Sequence, residues 1–256
     1  DKSRSRGLGD VYKRQLSKVS GFESVLTMNT GAEAVETAIK AARRWGYFTK
    51  GIPENKAEII VADGNFHGRT TTIVSFSSDS SYKDGFGPFT PGFESANYCG
   101  SCDCGSIKKC ISIESFEGKI NKNTCAILVE PIQGEAGIRV PKDGWLSELR
   151  KLCTEKNILL ILDEIQSGLG RTGKLFAYQH ENIIPDGLIL GKALGGAMMP
   201  ISAFLSSKEI MNHFNAGSHG STFGGNPLAS KVATKALELL YACLLYTSDA
   251  ADDGVG

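Results

Sequence analysis

Two residues of complementary chemistry stand where apolar runs stop. Ile-Leu-Leu-Ile-Leu at 158–162 gives way to Asp163 and Glu164, and Gly-Leu-Ile-Leu at 187–190 delivers Lys192. An unbroken apolar run of this length that ends in charge reads as a strand buried on both faces of a covered sheet. The polar residue then sits at the strand's C-terminal end, the edge where open α/β sheets bind ligands. A carboxylate and an amine delivered from two such ends can meet over one ligand.

Other strand ends carry further chemistry. Residues 58–61 end in a glycine-flanked loop with Phe66, His67 and Arg69. There the aromatic ring can stack on a flat group and the guanidinium can grip a carboxylate in two-point fashion. The alternative for this loop is a packed Phe and a surface Arg. Residues 125–129 end in Glu130 and Glu135, which can serve as an acid–base pair or be neutralised by arginines. At 30–33, Thr-Gly-Ala-Glu is a capping-box pattern opening a helix whose apolar positions are Ala34, Val35, Ala38, Ile39, Ala42 and Trp45. The same helix start offers backbone N–H groups at Gly31 and Ala32 to an anion, although an ordinary capped helix needs no anion.

These elements alternate strand and helix over one domain. Further strand at 23–28 and 203–205, and further helix before 158 and over 228–240, predict an α/β fold with a mostly parallel sheet covered by helices on both faces. The 256 residues carry 28 basic and 28 acidic side chains, which gives no electrostatic case for nucleic acid or an anionic membrane. No apolar run approaches membrane-spanning length.

Both ends carry an unusual signature. Asp-Val-Tyr-Lys-Arg-Gln at 10–15 and Cys-Leu-Leu-Tyr-Thr-Ser at 243–248 can be encoded by DNA strings that are reverse complements over most of their length. That resembles the translated ends of a transposon-type sequencing adapter. Residues 1–15 and 243–256 are therefore expected to be non-native segments around a domain at 16–242. Of seven cysteines, Cys125 and Cys153 fit apolar patterns. Cys99, Cys102, Cys104 and Cys110 cluster without regular paired spacing or a nearby histidine. They read as reduced thiols in a surface loop, with a zinc site as the alternative.

An amine, a carboxylate, an aromatic plate and a phosphate grip together suit pyridoxal 5'-phosphate. Lys192 would form the Schiff base, Asp163 would keep the pyridine nitrogen protonated, and Phe66 and Ile165 would cover the ring. The rival of a non-catalytic nucleotide-binding module lacks a G-x-G-x-x-G or P-loop after any strand.

The motifs at 29–34 (Asn-Thr-Gly-Ala-Glu-Ala), 66–70 (Phe-His-Gly-Arg-Thr), 130–137 (Glu-Pro-Ile-Gln-Gly-Glu-Ala-Gly), 163–173, 191–196 (Gly-Lys-Ala-Leu-Gly-Gly) and 219–227 resemble the class III, or omega, aminotransferases. The resemblance covers nearly all of residues 21–240. The helix end at Trp45-Gly46-Tyr47 and the loop at 84–93 look more like the branch acting on ornithine than those acting on acetylornithine or 4-aminobutyrate. His67 blurs that distinction, because the animal ornithine enzymes carry tryptophan there.

The resemblance implies a fold type I large domain, with the C-terminal small domain missing from this chain. It implies that Lys192 also shuttles the proton, Gln166 reaches the ring hydroxyl, and Gly31 and Ala32 bind the phosphate. Arg69 would take the substrate α-carboxylate, and Glu135 would mask a switch arginine of the missing domain. Thr222 would complete the phosphate site of a neighbouring subunit, hence a homodimer with shared active sites. The expected partners are amino-acid and 2-oxo-acid substrates. The expected location is cytoplasmic, with the mitochondrial matrix as the alternative. An inactive fragment with a cysteine-bound metal is the contrasting expectation.

Overall fold

The computed structural model describes residues 2–99 and 110–252, with side chains over 9–99 and 110–243. Seven strands among these residues form one sheet: β1 Ser24–Met28, β2 Glu58–Ala62, β3 Phe93–Ala96, β4 Thr124–Val129, β5 Leu159–Asp163, β6 Gly187–Leu190 and β7 Ser202–Ser206. Their spatial order is β1-β7-β6-β5-β4-β2-β3. The five strands from β3 to β6 run parallel, and β7 is antiparallel to both β6 and β1. The sheet is thus mostly parallel, as expected.

Strand periodicity divides the core into two layers. On β5, Leu160 and Leu162 join one apolar cluster while Leu159 and Ile161 join the other. Residues Ile127 against Leu128 on β4 and Ile60 against Val61 on β2 split the same way, because successive side chains of a strand point to opposite faces. Helices α1 (Lys2–Ser20), α4 (Ile111–Lys119), α5 (Trp145–Glu155) and α7 (Pro227–Asp252) cover the first layer. On the other side lie α2 (Gly31–Phe48), α3 (Thr71–Ser75) and α6 (Lys208–Met211). Each fully buried Leu or Ile contributes about 1.5–3 kcal/mol, so strands buried on both faces are the main source of stability.

Local sequence accounts for the elements that matter to the site. Helix α2 begins with the expected capping box: Thr30 Oγ1 accepts the Glu33 N–H, and Glu33 Oε2 accepts the Thr30 N–H at 2.8 Å. Strand β5 lies one residue later than the apolar run at 158–162 implies. Asp163 is itself part of the ladder, in register with Ile189 of β6, so its carboxyl is held by sheet and not by loop. Helix α1 packs against α7 and buries Tyr12 and Leu16 completely.

Cys99 and Cys110 are buried with sulfurs 3.4 Å apart, which corrects the surface placement read from their polar, glycine-rich surroundings. Cys102 and Cys104 lie outside the described residues. Among the described residues, no three His, Cys, Asp or Glu side chains cluster to hold a metal ion, and no helix is long and apolar enough to cross a membrane.

Candidate active site

The strand ends named above converge. A cavity of about 180 Å³ is lined by Gly31, Ala32, Phe66, Asp163, Ile165, Gln166 and Lys192, together with His67, Gly68, Glu130 and Ile132. It opens into a basin of about 990 Å³, with Ile132, Ile165, Gln166 and Lys192 common to both.

Asp163 and Glu164 are adjacent acids with opposite surroundings, because strand alternation sends them to opposite faces. Asp163, only 4% exposed, faces the cavity. Its Oδ1 accepts the Ile165 N–H at 3.0 Å, and its Oδ2 lies 2.6 Å from His67 Nδ1. Glu164 turns into the protein and accepts the backbone N–H groups of Ala177 and Tyr178 at 2.7 and 2.9 Å. It therefore caps the short 3-10 turn Ala177–Glu181. Burial, aided by the neighbouring Asp163 charge, pushes Glu164 up to about 7 against the pull of those two N–H donors.

Lys192 follows β6 with φ of 39°, a left-handed conformation that costs a side-chain-bearing residue about 1–3 kcal/mol and that concentrates at functional sites. Its Nζ donates to Gln166 Oε1 at 2.7 Å and lies 3.7 Å from Glu135 Oε1. Amine and buried carboxylate thus line one cavity from adjacent strands.

After the edge strand β1, the capping box uses the Asn29, Thr30 and Glu33 N–H groups. Among the described residues the N–H groups of Gly31 and Ala32 have no acceptor, so they are the donors that the start of α2 offers to an anion. Gly31 packs closely on Ile165: a Cβ there would lie 2.8 Å from Ile165 Cδ1, so the end of that side chain would have to shift. Gly68 combines φ of 125° with a Cβ position 2.9 Å from Ala32 Cβ. Both glycines line the cavity.

Three expected site residues stand outside the cavity. Arg69 is exposed, with its guanidinium 4.6 Å from the Tyr82 ring centroid and 5.8 Å from that of Phe66. Thr222 is exposed on its loop, whose Ser221 Oγ accepts from Asn29 Nδ2 at 2.9 Å. Glu135 reaches Lys192 from the turn between Gln133 and Arg139, which pair as a β-bridge.

Spacing alone did not assign His67 or Glu130 a place in the wall. The available signal was position: His67 follows Phe66 directly, and Glu130 follows the last residue of β4. Burial raises Glu130 to about 7, and Asp163 adds to this while His67, the Phe66 N–H and Lys192 oppose it. For His67, burial alone would lower the pKa, but the hydrogen bond and charge of Asp163, helped by Glu130, raise it above the ordinary range.

Pyridoxal phosphate fits this wall. Two unpaired helix-start N–H groups suit its phosphate, a dry carboxylate suits its ring nitrogen, Gln166 suits its ring hydroxyl, and Lys192 suits its aldehyde. Comparison with known proteins agrees. Residues 8–251 match the family model described as aminotransferase class-III. The ornithine aminotransferase of Brevibacillus brevis is 54% identical over 91% of this chain and 55% of its own length. The crystal structure of ornithine aminotransferase from Toxoplasma gondii ME49 superposes with a TM-score of 0.85 at 44% identity, covering 91% of this chain and 53% of that one. Acetylornithine aminotransferase from Elizabethkingia anophelis gives a TM-score of 0.77 at 50% identity, over 92% of this chain and 55% of that one. The chain spans about half the length of the curated relatives it matches. With this sheet, this cavity and these relatives, the chain belongs to the class III aminotransferase family, whose cofactor is pyridoxal phosphate.

Proposed function

We propose that the chain is the cofactor-binding part of an aminotransferase that moves the terminal (δ) amino group of L-ornithine to 2-oxoglutarate. The products are glutamate semialdehyde and glutamate. The observation that carries the reaction type is the buried Asp163 carboxylate lining one cavity with the Lys192 amine. The 54% identity to an ornithine aminotransferase supports the substrate.

When bound, pyridoxal phosphate supplies a ring that withdraws the electron pair left on a substrate carbon after its proton departs. The chain's own residues do the rest. Asp163, fixed by Ile165 N–H and His67, would hold the ring nitrogen through its buried carboxyl group. Lys192 Nζ, which lines the cavity, would hold the cofactor and, when free, would carry the proton. Gln166 and Glu135, both within reach of that amine, steady it. Phe66 and Ile165 confine the ring, and Gly31 and Ala32 anchor the phosphate through their N–H groups. Arg69 takes the α-carboxylate, so that ornithine offers its far amine. The stacked Tyr82 ring restricts the guanidinium's swing at that position.

We propose a homodimer for the complete enzyme, in which Thr222 serves the neighbouring site. Phe223 beside it is 69% exposed, as expected of a loop that is covered by a second copy.

Two measurements test the reading. Borohydride reduction of the chain loaded with pyridoxal phosphate, followed by peptide mapping, should place the label on Lys192, and a label on any other lysine overturns the assignment. Initial rates with 2-oxoglutarate should favour L-ornithine over N-acetylornithine and 4-aminobutyrate. The second reading, acetylornithine, rests on the 50% identity to the Elizabethkingia enzyme, and a preference for N-acetylornithine would establish it instead.

A further inference from the structure

Two thiols that the proposed reaction does not use face each other inside the protein. Cys99 follows β3 and Cys110 precedes α4, and they are 1% and 0% exposed. Cys110 Sγ donates to Cys99 Sγ at 3.4 Å. A disulfide requires about 2.05 Å, so the sulfurs must approach by about 1.3 Å, within the swing of the two side chains.

The backbones that carry the sulfurs are already tied together. Asn97 N–H donates to Ser115 Oγ at 3.0 Å, and Ser112 Oγ donates to the Asn97 carbonyl at 2.6 Å. Trp145 Nε1 donates to Ser112 Oγ at 3.1 Å, and the Trp145 ring packs edge-on to Tyr98 with centroids 4.9 Å apart. The exit of β3 and the first turns of α4 are thus held side by side by contacts that owe nothing to sulfur. Cys110 also stands at the N-cap position of α4, where a side-chain oxygen normally accepts a backbone N–H. Its side chain makes no such bond and meets Cys99 instead.

We propose that Cys99 and Cys110 are a disulfide-forming pair whose bond clips the exit of β3 to the start of α4. The bond forms by exchange with a small disulfide such as oxidised glutathione. One cysteine, as thiolate, attacks a glutathione sulfur, breaking that S–S bond and releasing one glutathione. The other cysteine, also as thiolate, then displaces the second glutathione from the mixed disulfide. Two protein thiols are oxidised, one glutathione disulfide is reduced, and the two protein protons end on the two glutathione sulfurs. Because both cysteines are buried, glutathione cannot reach either sulfur in the folded arrangement. The bond is therefore made as the chain folds or opens, and once made it is shielded from reductant in the same way. The clip also braces the site from behind. Tyr98, next to Cys99, donates from its hydroxyl to the Pro131 carbonyl at 2.9 Å, just before the turn that carries Glu135.

The test refolds the full chain from urea in a buffer of oxidised and reduced glutathione, alkylates it and digests it with trypsin. Residues 84–108 hold Cys99, Cys102 and Cys104, and residues 110–119 hold Cys110. The two peptides should appear joined, lighter than their sum by two hydrogens, with fragment ions placing the bond at Cys99. The joined pair should persist in the double variant Cys102→Ser/Cys104→Ser. The bond closes a loop of 12 residues, so Tm should rise by about 6–12 °C over the reduced chain. The folded chain in the same buffer should form the same link about tenfold more slowly or slower still, since it must open first. A bond from Cys110 to Cys102 or Cys104, no bond at all, or a bond without a rise in Tm overturns the proposal. Stoichiometric zinc in the purified chain overturns it too, because thiolates held by a metal are not a disulfide pair. A folded chain that links as fast as the refolding one refutes the shielding. If refolding fails, the link formed in the folded chain, mapped in the same way, decides the pairing.

Discussion

Replacing Asp163 by Asn tests the site's buried electrostatics before any chemistry occurs. The side chain is 3% exposed and its two oxygens have separate partners, the Ile165 N–H and His67 Nδ1. An Asn amide oxygen can keep the Ile165 N–H, but its NH₂ then points at Nδ1. His67 must then give up its Nδ1 proton and become neutral, keeping the proton on Nε2, where no partner exists among the described residues. The charge-assisted hydrogen bond that is lost contributes about 1.5–3 kcal/mol. For a pair this buried the upper end of that range, about 3 kcal/mol, is the expected destabilisation. For a chain of this size each kcal/mol moves Tm by about 2–4 °C, so calorimetry of the cofactor-free protein should record a drop of about 6–12 °C. In the double variant with His67→Phe the two effects should be strongly non-additive, since both remove the same contact. A Tm change within about 2 °C would refute the reasoning, because a solvated or rotated Asp163 would lose almost nothing.

Three groups, His67, Glu130 and Glu164, bind protons more tightly folded than unfolded. Their favourable contribution is complete below the unfolded values and disappears as pH rises through the folded ones, so folding stability should fall between pH 4.5 and about 7. Urea titrations at several pH values check the slope, and a carboxyl-neutralising Glu164→Gln should flatten it; a rising slope would contradict the assignment. Tyr12 is fully buried, and its hydroxyl has no partner among the described residues. Tyr12→Phe should therefore raise stability by about 1 kcal/mol, read as a higher urea midpoint, whereas a loss would mean that the hydroxyl has a partner.

Much of this site could be read from residue order because its parts obey short-range rules. The capping box at Thr30 and Glu33 requires only four consecutive residues, and the apolar runs behind Val129, Leu162 and Leu190 declare buried strands without tertiary information. Features set by long-range contact were harder to read. Strand β3 shows only one fully buried residue, Ala96, so its pattern resembles loop until β2 pairs with it. Helix α4 buries just Ser112 and Phe116, too few to reveal a periodicity. The antiparallel direction of β7 is invisible in its composition, since all five of its residues are buried as in the parallel strands. The contact between His67 and Asp163 joins residues 96 positions apart, and only the converging strand ends bring it about.

That reversed strand has a mechanical consequence for Lys192. Because β7 runs back along β6 in a fixed ladder, with Leu190 opposite Ala203, the segment carrying the lysine is clamped at both ends to the same piece of sheet. Neither flank can slide without breaking the β5–β6 and β6–β7 registers together. A single residue of slippage would displace the amine by about 3.3 Å and turn its side chain to the other face. The sheet thus acts as a ruler for the amine's reach, and the freedom that Lys192 retains is confined to its own four methylene groups.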